Sequence, residues 1–168
     1  MKRIVSILFI SLFFLNVAAA QKLNEYKASN GITYLIGDTV TLGVGSACDG
    51  FFSNIYSSVA LTKLMAFVEE QGYDPRLPSD YEGSKVVVLK IRLVDEKIYL
   101  TFTSDDLGNF VIDIEAAIKS CEVAYCQPDG FLSQQQFEKL VLLYQACLNQ
   151  KVSPERFQQL RKEMMGTE

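Results

Sequence analysis

The chain is 168 residues long, 49% hydrophobic, with 16 basic against 20 acidic side chains and no histidine. The missing histidine excludes Ser-His-Asp and Cys-His catalysis and removes the commonest zinc ligand. A negative net charge without any basic cluster argues against nucleic acid and against adhesion to anionic lipid by charge alone.

Residues 1–20 read as an export signal. Lys2 and Arg3 precede an apolar run, Ile4 to Leu15, broken only by Ser6 and Ser11, and Val17-Ala18-Ala19-Ala20 offers the small residues that a signal peptidase reads. A membrane anchor is the alternative, but the run falls short of the roughly 20 apolar residues a spanning helix needs. No cysteine follows the small residues, so lipid attachment is not expected. Cleavage after Ala20 leaves Gln21 to Glu168, with 14 basic and 20 acidic side chains and a net charge of −6. That length suits one ordinary domain plus an appendage. The expected location is periplasmic or extracellular, with no transmembrane segment after cleavage.

The stretch Asn30–Gly50 alternates apolar and polar residues with period two (Ile32, Tyr34, Ile36, then Val40, Leu42, Val44), as a half-buried strand requires. Turn signals at Asn30-Gly31, Gly37-Asp38 and Gly45-Ser46 interrupt it. The reading is a hairpin centred on Gly37-Asp38. Gly43, Gly45 and Gly50 suggest turns or bulges, since no helix follows them at phosphate-loop spacing. Phe51–Ser57 is aromatic enough for a third strand. Val59–Glu70 then places Ala60, Leu61, Leu64, Met65, Phe67 and Val68 at helical spacing, which predicts a helix inserted between strands.

Gly72–Gly83 is a long loop rich in proline, glycine and acids. Tyr73 and Tyr81, with Phe51 and Phe52, are the candidate aromatic surface for a glycan or peptide. The plainer reading, a solvated connector whose tyrosines lie over the sheet edge, is preferred. Lys85–Val94 alternates as a strand, with Val87, Leu89, Ile91 and Leu93 on one face and Val86, Val88, Lys90 and Arg92 on the other. Lys97–Thr103 follows with Ile98, Leu100 and Phe102 inward, then Phe110, Ile112 and Ile114. Three strands joined by short turns make a meander. Asp113 caps a short helix over Ile114–Ser120.

Of the four cysteines, Cys121 and Cys126 close a short loop across Glu-Val-Ala-Tyr and form the favoured bridge. Four cysteines allow three pairings, and buried thiols are the alternative. No C-x-x-C pair supports a metal, and no cofactor is expected. Paired carboxylates such as Asp113 with Glu115, or Asp38 with Asp49, are read as capping or solvated acids, so no catalytic residues are assigned and the chain is read as a non-enzyme.

Past Cys126 the period becomes 3.6. Ser133 caps a helix to about Leu148 with Phe137, Leu140, Val141, Tyr144 and Cys147 along one stripe, widened by Leu142 and Leu143. Ser153 caps a second, with Pro154 in its first position and Phe157, Leu160 and Met164 along its inner face. The pattern apolar-Ser-x-x-x-Phe-x-x-Leu thus occurs at Leu132 and again at Val152. Asp129-Gly130 resembles half a calcium loop, which wants acids or amides at alternate earlier positions and a glutamate at its twelfth, but Tyr125 falls at the first position, Gln127 at the third and Gln136 at the twelfth, and the test fails. About Leu140 to Met165, on Val152-Ser153-Pro154-Glu155-Arg156-Phe157 with Arg161 and Met164-Met165, the tail resembles the short C-terminal domain family SHOCT. Lys151 and Arg156 depart from the family's glycine and capping glutamate. The resemblance implies a helical hairpin suspected of mediating assembly and carries no catalytic residues.

The whole predicts an α+β chain: a small antiparallel β-barrel or sandwich of about six strands with one inserted helix over residues 21–126, and a C-terminal two-helix hairpin over 127–168. Isolated helices this short are marginal. Leu142, Leu143, Phe157, Leu160, Met164 and Met165 are therefore the expected docking surface, covered by the β-module, by a second copy of the chain or by another envelope protein. The function expected is a non-catalytic exported binding or assembly module, with glycan or peptide binding at the 72–83 loop as the alternative.

Overall fold

The computed structural model describes residues 20–57, 74–104, 108–126 and 133–165. The expected export signal up to residue 19, the helix expected over Val59–Glu70, Tyr73 and the boundary Gln127–Gly130 lie outside the described residues.

The strands are β1 (Gln21–Leu23), β2 (Glu25–Lys27), β3 (Thr33–Leu35), β4 (Thr39–Thr41), β5 (Phe51–Ser57), β6 (Arg76–Pro78), β7 (Lys85–Val94), β8 (Lys97–Ser104) and β9 (Gly108–Asp113). The helices are α1 (Ile114–Lys119), α2 (Gln134–Leu148) and α3 (Pro154–Met165). Seven strands make one antiparallel sheet in the order β1-β7-β8-β9-β5-β6, with β4 also pairing with β7, and β2 and β3 form a separate ribbon. The meander β7-β8-β9 is as expected. The barrel is not closed. β6, at one edge, is three residues long and ends on Pro78, which has no N–H to offer a further strand.

The expected hairpin at Gly37-Asp38 is only half right. The turn exists: Gly37 has φ +94°, Asp38 N–H donates to Leu35 O at 3.1 Å, and the Asp38 carboxylate accepts Leu35 N–H at 2.7 Å. Its strands, however, diverge. β3 pairs back with β2 around Asn30-Gly31, while β4 joins β7, and Gly37 N–H and Asp38 O both bond Val88. The turn signals Asn30-Gly31 and Gly37-Asp38, seven residues apart, flank one strand, and it pairs across the first although the second is the shorter connection.

β7 also departs from strict alternation. Val88 faces Phe102 and Lys90 faces Thr101, so Leu89 is an extra residue, a β-bulge. The core face is therefore Val86, Val88 and Ile91, each fully buried, while Val87 and Leu89 are 38% and 36% exposed. The bulge leaves Lys90 in solvent and lets the strand keep one buried face past it. Ile98, Leu100 and Phe102 of β8, and Phe110, Ile112 and Ile114 after them, point inward as expected. They meet Tyr34 of the β2–β3 ribbon and Ala117 and Ile118 of α1 in the main core. Asp113 caps α1, accepting Ala116 N–H at 3.3 Å.

Both tail helices begin where the capping pattern places them. Ser133 and Gln136 form a reciprocal capping box, and Ser153 Oγ accepts Arg156 N–H at 3.3 Å. The helices pack on the sheet module as well as on each other. Leu140, Tyr144, Cys147 and Phe157 form a second core with Val44 and Cys121. Gly43 and Gly45 make this approach possible by lacking a side chain. The chain there runs alongside 121–124 (Gly43 N–H to Glu122 O at 2.8 Å). A Cβ on Gly43 would sit 2.2 Å from Cys121 O, and one on Gly45 2.8 Å from the Tyr144 ring. These two are close-contact glycines rather than turns. Gly50, with φ +89°, is a turn.

Candidate functional site

The aromatic surface read from sequence is largely dispersed. Successive residues of β5 point to opposite faces, so Phe52 is fully buried in the main core and Phe51 is half-buried beneath Arg76, whose guanidinium lies 5.0 Å from the ring centroid. Arg76 is held in turn by Asp74 at 2.6 Å and Asp49 at 2.7 Å. The hydrogen bonds that Arg76 donates to Asp74, then to Asp49, push its pKa up, and Arg76 holds Asp74 below the ordinary carboxylate range. Tyr81 packs partly buried against the main core. A small cavity of about 200 Å³ opens beside Arg76 and Tyr81. One face of Phe51 is thus already occupied, and Phe52 has no surface to present.

The tail residues fare similarly. Phe157 is fully buried, Leu143, Met164 and Met165 are partly buried against the second core, and Leu160 is half-buried. Of the set expected to dock, Leu142 stands clear at 70% exposure. The rest of that set is partly or fully buried within the chain.

Two disulfides brace this arrangement. Cys121–Cys126 is the bridge expected from the short loop, with Cα atoms 5.0 Å apart. Cys48–Cys147 pins the end of α2 to the segment before β5, across 99 residues. Only the even cysteine count hinted at it.

Between the pinned helices and the sheet module lies a buried polar cluster. Arg161, on the inner face of α3, is 2% exposed and reaches across the seam. Its guanidinium donates to Gly45 O at 2.7 Å, Val44 O at 3.2 Å and Ser120 O, leaving Nε–H without a partner among the described residues. Glu122, fully buried behind it, accepts from the Ser46 hydroxyl, from Ser53 N–H and, at 2.8 Å, from Asn54 N–H. Burial pushes Glu122 up against the pull of these donors, and pushes Glu82 up against Gly45 N–H and Arg161. Burial pulls Arg161 down to about 10, opposed by Glu122 and Glu82, so it is charged at neutral pH. The Tyr144 hydroxyl is buried beside Gly45 and Ser79. Ser79 offsets part of the upward push of burial on its pKa, yet the pair lacks hydrogen-bonding geometry.

No family model, curated protein or solved structure matches this chain. Beside the cluster opens a cavity of about 320 Å³, lined on one side by Ser46, Ser53 and Ser120 and on the other by Gln158, Arg161 and Lys162. Gln158 donates to Ser46 O at 2.8 Å across the seam. Among the described residues no group of three or more His, Cys, Asp or Glu could hold a metal ion, and no helix is long and apolar enough to cross a membrane.

Sequence reasoning missed this cluster because Glu122 and Arg161 lie 39 positions apart, in a turn and on a helix. One signal was available. Arg161 falls four residues after Phe157, on the stripe that faces the core, where a charge needs buried partners.

Proposed function

We propose that the chain is an exported, non-catalytic binding protein in which the helical tail, read as SHOCT-like, completes a small binding cavity with the sheet module. The observation that carries this reading is that the cavity takes its walls from both parts, while a disulfide and Arg161 hold those parts together. Ligand sites form preferentially at such junctions. Two disulfides accord with an oxidising compartment, as the basic–apolar–small leader does.

The test is a titration of the mature, oxidised protein with small solutes (neutral sugars, free amino acids, organic acids), followed by amide NMR. Shifts gathered at Ser46, Ser53, Ala116, Ser120 and Gln158 are expected, and they should vanish in Ala116→Leu, which fills the cavity. A panel that moves no such group of signals would refute the reading.

The exposure of Leu142 favours a second reading, in which the outer side of the tail docks on a second copy or on another envelope protein. Light scattering on the wild type and on Leu142→Asp tests it. A strict monomer at high concentration removes it.

A further inference from the structure

Another cavity, of about 390 Å³, is lined by Ile32, Tyr34, Asp38, Thr39, Val40 and Tyr125, none of which lines the seam. Strand pairing explains why it is open. Residues 121–124 run antiparallel to 41–44, with Ala124 N–H donating to Thr41 O at 2.9 Å and Leu42 opposite Val123. Beyond Ala124 the two segments part, since Cys126 is bridged back to Cys121 while β4 continues to Thr39. Asn30 fixes the walls around the gap. It is 5% exposed, and its side chain donates to the Tyr34 hydroxyl at 3.1 Å and to Tyr125 O at 2.6 Å while accepting Ile32 N–H at 3.1 Å. One buried side chain thus ties three of the lining residues together, and a site shaped before its ligand arrives binds at lower cost.

Most of the lining is apolar in body, and Tyr34 and Val40 are shared with the main core. Asp38 is the charged residue in the wall, and it is half-buried. Its carboxylate accepts Leu35 N–H at 2.7 Å, which uses one of about four acceptor positions. The exposed lysines of neighbouring strands, Lys27, Lys85 and Lys90, form no ion pair with it among the described residues. Burial pushes the Tyr34 phenol up, Asn30 opposes that push, and the Glu115 carboxylate adds to it, so the field at this wall is negative. An apolar recess with a carboxylate at its wall suits a cation on an apolar body, and tyrosine rings add to the attraction. From this arrangement we infer that the cavity binds a small organic cation, its ammonium group at Asp38 and its apolar body against Ile32, Tyr34, Val40 and Tyr125. The inference does not depend on the seam cavity.

The experiment titrates the mature, oxidised protein with benzylamine and, as its neutral counterpart, benzyl alcohol, at pH 7 and matched ionic strength, and follows the amide NMR signals. Benzylamine is expected to move Ile32, Thr39, Val40 and Tyr125 saturably and to bind roughly fivefold tighter than the alcohol, the effect of one ion pair that stays partly in water. Asp38→Asn keeps an oxygen for Leu35 N–H and should bring the amine down to the level of the alcohol. Thr39→Lys, at an exposed strand position, sets a cation beside Asp38 and should weaken the amine in the same way. Equal binding of amine and alcohol by the wild type overturns the inference, and so does an amine affinity that neither variant changes. Shifts confined to Ser46, Ser53, Ser120 and Gln158 would put the amine in the seam, overturning this inference and leaving the earlier reading intact. No shift at either set overturns this inference.

Discussion

Replacing Cys48 and Cys147 with alanine tests the claim that the tail is stapled to the sheet module rather than loosely appended. The bridge closes a loop of 99 residues, for which the chain-entropy relation gives about 4.7 kcal/mol of stabilisation. The same relation gives about 2 kcal/mol for the Cys121–Cys126 loop, whose ends are 5 residues apart. Cys147 is nearly buried, so alanine also leaves a small gap in the second core and pushes the loss upward. With a slope of about 2 kcal/mol per molar urea, the long bridge should be worth roughly 2 M in midpoint and the short one roughly 1 M. Urea unfolding of both double-alanine variants, followed by far-UV circular dichroism under non-reducing conditions, measures the pair. A loss under about 1 kcal/mol for the long bridge, or one no larger than for the short bridge, would refute the reasoning.

Arg161→Met removes the charge that crosses the seam and leaves Glu122 buried without the opposite charge that it faces there. A loss of about 3–5 kcal/mol in the same titration is expected, partly recovered by adding Glu122→Gln. Burial raises Glu122 above its ordinary 4.5, so between 4.5 and its folded value the native state binds the extra proton. The stability of the wild type relative to Glu122→Gln must then fall as pH rises through that window. A difference that climbs with pH would contradict the assignment. Gly43→Ala drives a methyl into Cys121 O and should cost at least about 2 kcal/mol by thermal melt. Tyr144→Phe discards a buried hydroxyl that makes no hydrogen bond among the described residues and should leave stability unchanged or raise it by up to about 1 kcal/mol. A drop of that size would mean the hydroxyl has a partner in solution.

What could be read from the chain was governed by local physics. Ser133, Ser153 and Asp113 announce their helices because capping depends on residues three apart, and β8 announces its buried face through plain alternation. Val87 and Leu89 were grouped on one face with Ile91, and the bulge separates them, because a bulge is decided by the register of the partner strand, which β7 does not encode by itself. The Gly37-Asp38 turn was legible, but not its failure to make a hairpin, since Val88, fifty residues on, claims its backbone. Phe157 and Met164 were correctly read as facing inward. Which surface they meet depended on Gly43 and Gly45, whose role lies in the side chains they lack. The site was the least legible part, because it joins Ser46, Glu122 and Arg161 from three distant segments.

The order of the thiols along the chain has a consequence for biogenesis. The pairs are nested, first with last and second with third. On the proposed export route the polypeptide is threaded out from its N-terminus, so Cys48 emerges with no rightful partner and meets Cys121 and Cys126 before Cys147 arrives. An oxidant that joins thiols in order of appearance would trap a non-native crosslink. The short Cys121–Cys126 ring guards against this, since so small a loop closes at much lower entropic cost than one reaching back to Cys48. The last helices then find a single sulfur waiting for them.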